Sequence, residues 1–261
     1  MNSKTYTLIT GASGGIGYDL AQLAAADGKN LVIVARSSDK LDQLAEIIRE
    51  NNKTEVISIA VDLSDETGVN KLISEISENN IQLDAWINNA GFGDFGDFSK
   101  ADLPKNMEMI RLNISALTQL SHFAMQRMLK AGKGKIMNVA STAAFMPGPG
   151  MAVYYASKAY VLSFSEALTR ELEGTGITVT TLCPGPTDTD FATSAGLGKS
   201  LMHRILPPST SIAVAKAGYK AMMKGKAIEI PGITNKLSAI SPRFSPRSMV
   251  RNMIYGIHKS H

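Results

Sequence analysis

Short apolar runs alternate with amphipathic stretches along most of this chain, and that alternation limits the folds open to it. Residues 5–10, 30–35, 55–61, 83–88, 135–140 and 177–183 read as strands, with a seventh over 227–230. Helical spacing falls between them, over 16–27, 38–51, 67–77, 102–131 and 153–173. The strands are apolar on both faces and each is followed by a helix. That pattern predicts a parallel sheet covered on both sides, the doubly wound α/β architecture. Such sheets bind ligands at the C-terminal ends of their strands.

Composition sets further bounds. The 261 residues suit one domain of about 250–300 residues, and 44% hydrophobic with 19% charged residues excludes disorder. No apolar run reaches the ~18–20 residues of a membrane-spanning helix. The first ten residues enter a strand at once, so no secretory leader is expected. Cys183 is the only cysteine, so no internal disulfide and no cysteine-based zinc site can form, and a reducing cytoplasm is expected. His122, His203, His258 and His261 lack ligand spacing, so no metal and no histidine chemistry is expected.

Glycines punctuate the first strand–helix junction as Gly11, Gly15 and Gly17, in Thr10-Gly-Ala-Ser-Gly-Gly-Ile-Gly17. Such a turn lets the backbone approach a pyrophosphate, with the free N–H groups of the next helix behind it. The spacing is Gly-x-x-x-Gly-x-Gly, not the commoner Gly-x-Gly-x-x-Gly dinucleotide fingerprint. At the end of the second strand, NAD binding calls for an acidic residue on the ribose 2′-hydroxyl. The chain has Arg36 and Ser37 there instead. A guanidinium pairs bidentately with a 2′-phosphate and the hydroxyl adds a donor, so NADP(H) is expected over NAD(H).

Tyr154 and Lys158 stand one helical turn apart and share a helix face. A phenol with a pKa near ~10 is a poor acid–base group at neutral pH. An adjacent ammonium favours the phenolate, so a lowered tyrosine pKa is expected. Tyr155, three residues from Lys158, is the competing phenol. Ser141 follows the fifth strand and could hold a substrate oxygen beside the phenol. Asn113 sits inside a long helix, where asparagine is unfavourable by propensity, which suggests a polar role. Asn88 to Gly91 and Pro184 to Thr189 leave the fourth and sixth strands at the same sheet edge.

These motifs in this order resemble the short-chain dehydrogenase/reductase superfamily, over roughly residues 5–190. The resemblance implies a Rossmann-type parallel sheet of about seven strands in a single domain, residues 1–261. It also implies the catalytic tetrad Asn113, Ser141, Tyr154 and Lys158. Tyr154 would exchange the proton, Lys158 would hold the nicotinamide ribose, Ser141 would polarise the carbonyl and Asn113 would keep a relay water. Gly11, Ser13, Gly15, Ile16 and Gly17 would cradle the cofactor phosphates. Asp62 and Leu63 would border the adenine. Asn89, Ala90 and Gly91 would line the cofactor, with Pro184, Gly185, Thr187 and Thr189 at the nicotinamide end. The family's basic residue before the second motif glycine is Gly14 here, so the NADP(H) expectation rests on Arg36. A homodimer or homotetramer is implied by the resemblance alone.

The implied activity is interconversion of a carbonyl and a secondary alcohol. Phe92, Phe95 and Phe98, Phe145, Met146 and Met151, and Phe191, Leu197, Leu201 and Met202 would rim an apolar pocket, suited to a steroid, fatty-acyl or aromatic ketone. A non-catalytic dinucleotide-binding sensor predicts a broken tetrad, and this one is complete. An isomerase or dehydratase would need further acid–base groups that the chain does not show. Residues 187–211, rich in Gly, Ser, Thr and Pro, read as a lid. Charge is uneven: residues 1–198 carry 16 Lys and Arg against 22 Asp and Glu, residues 199–261 carry 11 against 1. No nucleic-acid recognition motif accompanies the basic end. Within the C-terminal extension, residues 236–261, Arg243, Arg247 and Arg251 recur every four residues, and Met249, Val250, Met253, Ile254 and Ile257 share another face. This basic amphipathic helix is free to cover the pocket, pack on another subunit or lie on an anionic membrane.

Overall fold

The computed structural model describes residues 4–196 and 208–259. The expected alternation forms β1 (Thr5–Thr10), α1 (Gly15–Ala26), β2 (Asn30–Ala35), α2 (Ser38–Asn52), β3 (Val56–Ala60), α3 (Glu66–Glu78) and β4 (Gln82–Asn88). The single long helix expected over 102–131 is three pieces: α4 (Leu103–Ile110), a π-helical turn (Arg111–Ala116) and α5 (Leu117–Ala131). Then come β5 (Gly134–Val139), α6 (Ala152–Glu171), β6 (Ile177–Leu182), β7 (Thr187–Asp188), the short α7 (Phe191–Ser194) and β8 (Ser209–Thr210). The chain continues through α8 (Ser211–Met223), β9 (Ile228–Glu229), α9 (Ile233–Ile240) and α10 (Arg247–Lys259). Sequence periodicity did not predict α8 or α9. Leu197, Leu201, Met202 and His203 of the expected lid lie outside the described residues, as does His261.

Seven strands form one parallel sheet in the order β3-β2-β1-β4-β5-β6-β9. The order reverses between β1 and β4, and that reversal opens a crevice at the C-terminal strand ends. Both faces are covered, as doubly apolar strands require. Leu20, Ala24, Leu41, Leu44 and Ile48 from α1 and α2 pack on Ile9, Leu31 and Ile33. Leu8, Val32 and Trp86 face Val69, Leu72, Leu120 and Leu168 from α3, α5 and α6. No helix among the described residues is long and apolar enough to cross a membrane.

A buried polar ladder fixes the middle of the sheet. Asn88 and Asn138 are in register across β4 and β5, and Asn88 Nδ2 donates to Asn138 Oδ1 at 2.9 Å. Asn138 Nδ2 donates to Ser165 Oγ of α6 at 2.9 Å, and Asn88 Nδ2 also reaches Ser121 Oγ of α5. Trp86 Nε1 donates to Asn88 Oδ1 at 2.8 Å. Buried amides are tolerated when each bond is made, and removing one partner leaves the others unmatched. Asn138→Ala is therefore expected to lower unfolding free energy by about 1–3 kcal/mol. Urea denaturation followed by fluorescence of Trp86, the only tryptophan, measures this; an unchanged midpoint would contradict the ladder's role.

Candidate active site

Hydrogen bonds between two strand ends hold the glycine turn. Thr10 Oγ1 accepts from the backbone N–H groups of Asn89 and Ala90, both at 3.0 Å. Asn89 Nδ2 returns to the carbonyls of Thr10 and Gly11, at 3.0 and 3.2 Å. The glycines are needed for space. A Cβ on Gly17 would stand 2.2 Å from the Gly11 carbonyl oxygen and 2.5 Å from Asn89 Nδ2. Gly15 has φ +53° and faces Thr189, 3.0 Å from where a Cβ would point. Gly14 precedes α1 in extended backbone, no side chain caps this helix, and its first turn holds no acidic residue. Its leading N–H groups are thus open to an anion, which the helix dipole also favours.

The turn forms one wall of a cavity of about 670 Å³ over the strand ends, a size typical of small-molecule sites. Gly11, Ser13, Gly15, Ile16, Arg36, Asp62, Leu63, Asn89, Ala90 and Gly91 line one part. Ser141, Tyr154, Lys158, Pro184, Gly185, Thr187 and Thr189 line the other. Three expected residues stand behind this wall rather than in it: Gly17, whose role is packing, Ser37, which precedes α2 without a side-chain capping bond, and Asn113. Lys40, one turn into α2, lines the wall near Arg36 and was missed; an exposed helical lysine gives no sequence signal. Arg36 Nη1 lies 3.9 Å from Asp62 Oδ2 and 3.8 Å from Glu108 Oε1. Asp62 is itself oriented by the N–H and hydroxyl of Ser64, at 2.8 and 2.7 Å.

At the other end, α6 starts after Met151 and presents Tyr154 and Lys158 on one side. Lys158 Nζ donates to the Val139 carbonyl at 2.9 Å and stands 5.8 Å from the centre of the Tyr154 ring. A Cβ on Gly91 would come 2.9 Å from Asn113 Oδ1 and 3.4 Å from Lys158 Nζ, so only glycine leaves both groups in place. Asn113 lies in the π-helical turn, a distortion frequent at functional sites. Its Nδ2 donates to the Phe92 carbonyl at 3.0 Å and to Ser157 Oγ at 3.1 Å, while Oδ1 accepts from the Phe92 N–H at 3.2 Å. Ser157 Oγ donates to the Tyr154 carbonyl at 2.7 Å, so Asn113 is tied to the helix that carries the phenol. Ser141 Oγ accepts from the Ala143 N–H at 3.1 Å and reaches the Pro184 carbonyl at 3.4 Å.

Burial sets the protonation of the pair. It pushes the Tyr154 phenol up to about 12, against the smaller downward pull of a hydrogen bond with Ser141. It brings the Lys158 ammonium down to about 8. The lowered tyrosine pKa expected from the sequence is thus not found: loss of water around the phenolate dominates, and the downward pull comes from Ser141 rather than from the Lys158 ammonium. Tyr155, the rival phenol, is raised further by burial and then by Tyr154. Its ring packs on Tyr154 and on His258, with centroids 6.1 and 5.9 Å away.

The pocket rim is partly as expected. Phe92, Met146, Met151 and Phe191 line the cavity, whereas Phe98 points to solvent. Met253, Ile254, Ile257 and His258 of α10 complete the wall, so one face of the basic helix covers the pocket. Asn235 of α9 was not anticipated: it fills the space beside Gly185, where a Cβ would meet its side chain at 2.2 Å. No group of three or more His, Cys, Asp or Glu among the described residues could hold a metal.

Residues 5–200 match the family described as short chain dehydrogenase. The chain belongs to that family and is an oxidoreductase of the alcohol–carbonyl kind. It is 35% identical over 236 residues to 11-beta-hydroxysteroid dehydrogenase-like 3 of Arabidopsis thaliana, covering 88% of this chain and 74% of that protein. The fold is similar to a short-chain dehydrogenase from Sphingobium yanoikuyae in complex with NADPH, with TM-score 0.81 and 28% identity, covering 98% of this chain and 96% of that one. It is also similar to the bulky-bulky ketone specific alcohol dehydrogenase from Comamonas testosteroni, with TM-score 0.78 and 29% identity, covering 100% and 97%.

The packing of the turn yields a paired test. Gly17→Ala is expected to weaken binding of a nicotinamide dinucleotide at least about tenfold, because the added methyl drives the turn off Asn89. Gly14→Ala, with nothing within 4 Å of the new methyl, is expected to leave affinity within about twofold. Fluorescence titration measures both, and equal effects would contradict the role given to Gly17.

Proposed function

We propose that the protein is an NADP(H)-dependent reductase of bulky apolar ketones, with Tyr154 as proton donor and Asn113, Ser141 and Lys158 completing the tetrad. One observation carries the reading: Ser141, Tyr154 and Lys158 converge in a single cavity whose far walls are apolar and whose near wall is the glycine turn. The uncapped start of α1 and the side-chain-free cradle of Gly11 and Gly15 suit a pyrophosphate. Arg36 and Lys40 suit a 2′-phosphate, with Asp62 and Leu63 beside the adenine. Asn89, Ala90 and Gly91 would line the cofactor, and Pro184, Gly185, Thr187 and Thr189 would flank the nicotinamide. The nicotinamide supplies hydride when bound.

The chain's own residues do the rest. A phenol raised to about 12 keeps its proton at neutral pH and is ready to protonate a carbonyl oxygen. The Ser141 hydroxyl holds that oxygen beside it. Lys158 places a positive charge beside the phenol ring and would hold the nicotinamide ribose. Asn113 fixes the start of α6 through Phe92 and Ser157. The apolar walls hold the ketone's two substituents and exclude water. Similarity to the bulky-bulky ketone specific alcohol dehydrogenase and to 11-beta-hydroxysteroid dehydrogenase-like 3 supports a bulky substrate. The family resemblance supports a homodimer or homotetramer, and the single cysteine, Cys183, supports a cytoplasmic setting.

With NADPH and a panel of bulky ketones, Tyr154→Phe is expected to lower kcat by about 10²–10⁴-fold. Turnover by neither protein, with NADPH still bound, would favour a dinucleotide-binding sensor. Ketone reduction is expected to fall as pH rises through about 8, where Lys158 loses its proton. Alcohol oxidation, which needs the phenolate, should rise with pH. A reduction rate flat from pH 6 to 10 would remove Lys158 from the mechanism. Arg36→Asp should move the NADPH to NADH preference at least about tenfold towards NADH; an unchanged ratio would contradict the cofactor reading.

A further inference from the structure

The two C-terminal helices leave large apolar side chains uncovered. Ile233, Leu237 and Ile240 recur at helical spacing along one face of α9 and are 77%, 64% and 49% exposed, while Asn235 and Ala239 on its other face are buried. Phe244, in the turn that joins α9 to α10, is 84% exposed. In α10, Val250 and Ile254 are buried, and Met249 and Met253 stay open to solvent. Each of these exposed side chains would gain by leaving water, and apolar surface gathered in one segment marks a contact site more often than a bare face.

The charge of the segment has one sign. Residues 230–261 contain no Asp or Glu. Lys236, Arg243, Arg247 and Arg251 are exposed, and none of the four is paired with a carboxylate among the described residues. The segment also flanks the active site. Ser241, just after α9, and Met253 of α10 are exposed and line the cavity as well, so the cavity opens between these two helices.

We propose that α9, the turn at Phe244 and α10 dock the protein on an anionic phospholipid bilayer, with the mouth of the cavity beside the lipid. Apolar side chains that enter the acyl boundary, with unpaired cations beside them for the headgroups, are what an interfacial helix offers. A second copy of this chain fits less well. Packed through the same face about a two-fold axis, it would set these cations against their own copies with no carboxylate in the segment to offset them. Nucleic acid would answer the charge but leave Ile233, Leu237 and Phe244 bare. The docking does not depend on the ketone reductase reading, and its test reads binding without turnover.

Vesicle sedimentation with the full chain supplies that test. Phosphatidylcholine vesicles carrying about 30% phosphatidylserine are expected to hold the protein at least about tenfold more tightly than pure phosphatidylcholine, and added salt should weaken that binding. The double variants Leu237→Ser with Phe244→Ser, and Arg247→Gln with Arg251→Gln, change only exposed side chains that do not line the cavity. Each is expected to weaken binding to the anionic vesicles about tenfold or more, with the thermal midpoint unchanged. An environment-sensitive dye on Met249→Cys should brighten on those vesicles, whereas one on Glu78→Cys, at the end of α3 that leads into β4, should not; Cys183 is buried and escapes the label. Equal binding to both kinds of vesicle, binding unchanged in either double variant, or equal brightening at both sites would overturn the proposal. So would self-association of the wild type, without vesicle binding, that is lost in Leu237→Ser with Phe244→Ser: that result would give the face to a second copy.

Discussion

A buried ammonium organises the active end of this fold. Lys158 is 5% exposed and donates to the carbonyl of Val139 at the end of β5. Burying a cation is unfavourable unless hydrogen bonds and nearby negative or polarisable groups offset the loss of water. That requirement explains much of what surrounds it. Gly91 must lack a side chain so that Lys158 and Asn113 can both approach. The π-helical turn puts Asn113 where it can hold Phe92 and Ser157. The same burial lowers the lysine pKa to about 8 and raises that of Tyr154 to about 12, so the two groups, nearly equal in water, move apart in proton affinity. At neutral pH both therefore keep their protons, which leaves a phenol able to donate beside a cation.

The sheet makes this arrangement rigid. Strand order reverses between β1 and β4, and Thr10 and Asn89 tie those strand ends together across the reversal. The neighbouring strands β4 and β5 are locked by Asn88 and Asn138, whose amides continue into α5 and α6. The helix carrying Tyr154 and Lys158 is thus anchored to the strands that bear the glycine turn and Ser141. Proximity contributes to catalysis only when the parts do not drift, and this network holds them through buried hydrogen bonds rather than flexible loops.

The alternation of apolar strands and amphipathic helices was legible from the sequence, because burial on both sheet faces leaves a plain pattern. The glycine turn, Ser141, Tyr154 and Lys158 were legible too, since their spacing reflects local chain geometry. Three features were not. The π-helical turn at Asn113 follows ordinary helical periodicity in sequence, and Asn113 bonds to Phe92 and Ser157, which lie far from it along the chain. The direction of the Tyr154 shift depends on solvent exclusion by Phe191, Met151 and Tyr155, which lie apart along the chain. Lys40 and His258 reach the cavity, and Asn235 packs beside Gly185, from helices whose placement depends on packing over the strand ends. For α10 the hydrophobic face was evident but what it covers was not: Val250 and Ile254 are buried while Met249 and Tyr255 face outward.

The central claim is that the phenol of Tyr154, beside the Lys158 ammonium, completes a hydride transfer to a carbonyl carbon. Deuterium transfer tests it most directly. NADPH carrying deuterium at both C4 positions is incubated with a bulky ketone, and the alcohol is analysed by mass spectrometry. One deuterium on the carbinol carbon is expected with the wild-type protein, with formation of that product slowed sharply in Tyr154→Phe. Alcohol formed without deuterium, or at equal rates in both proteins, would contradict the account.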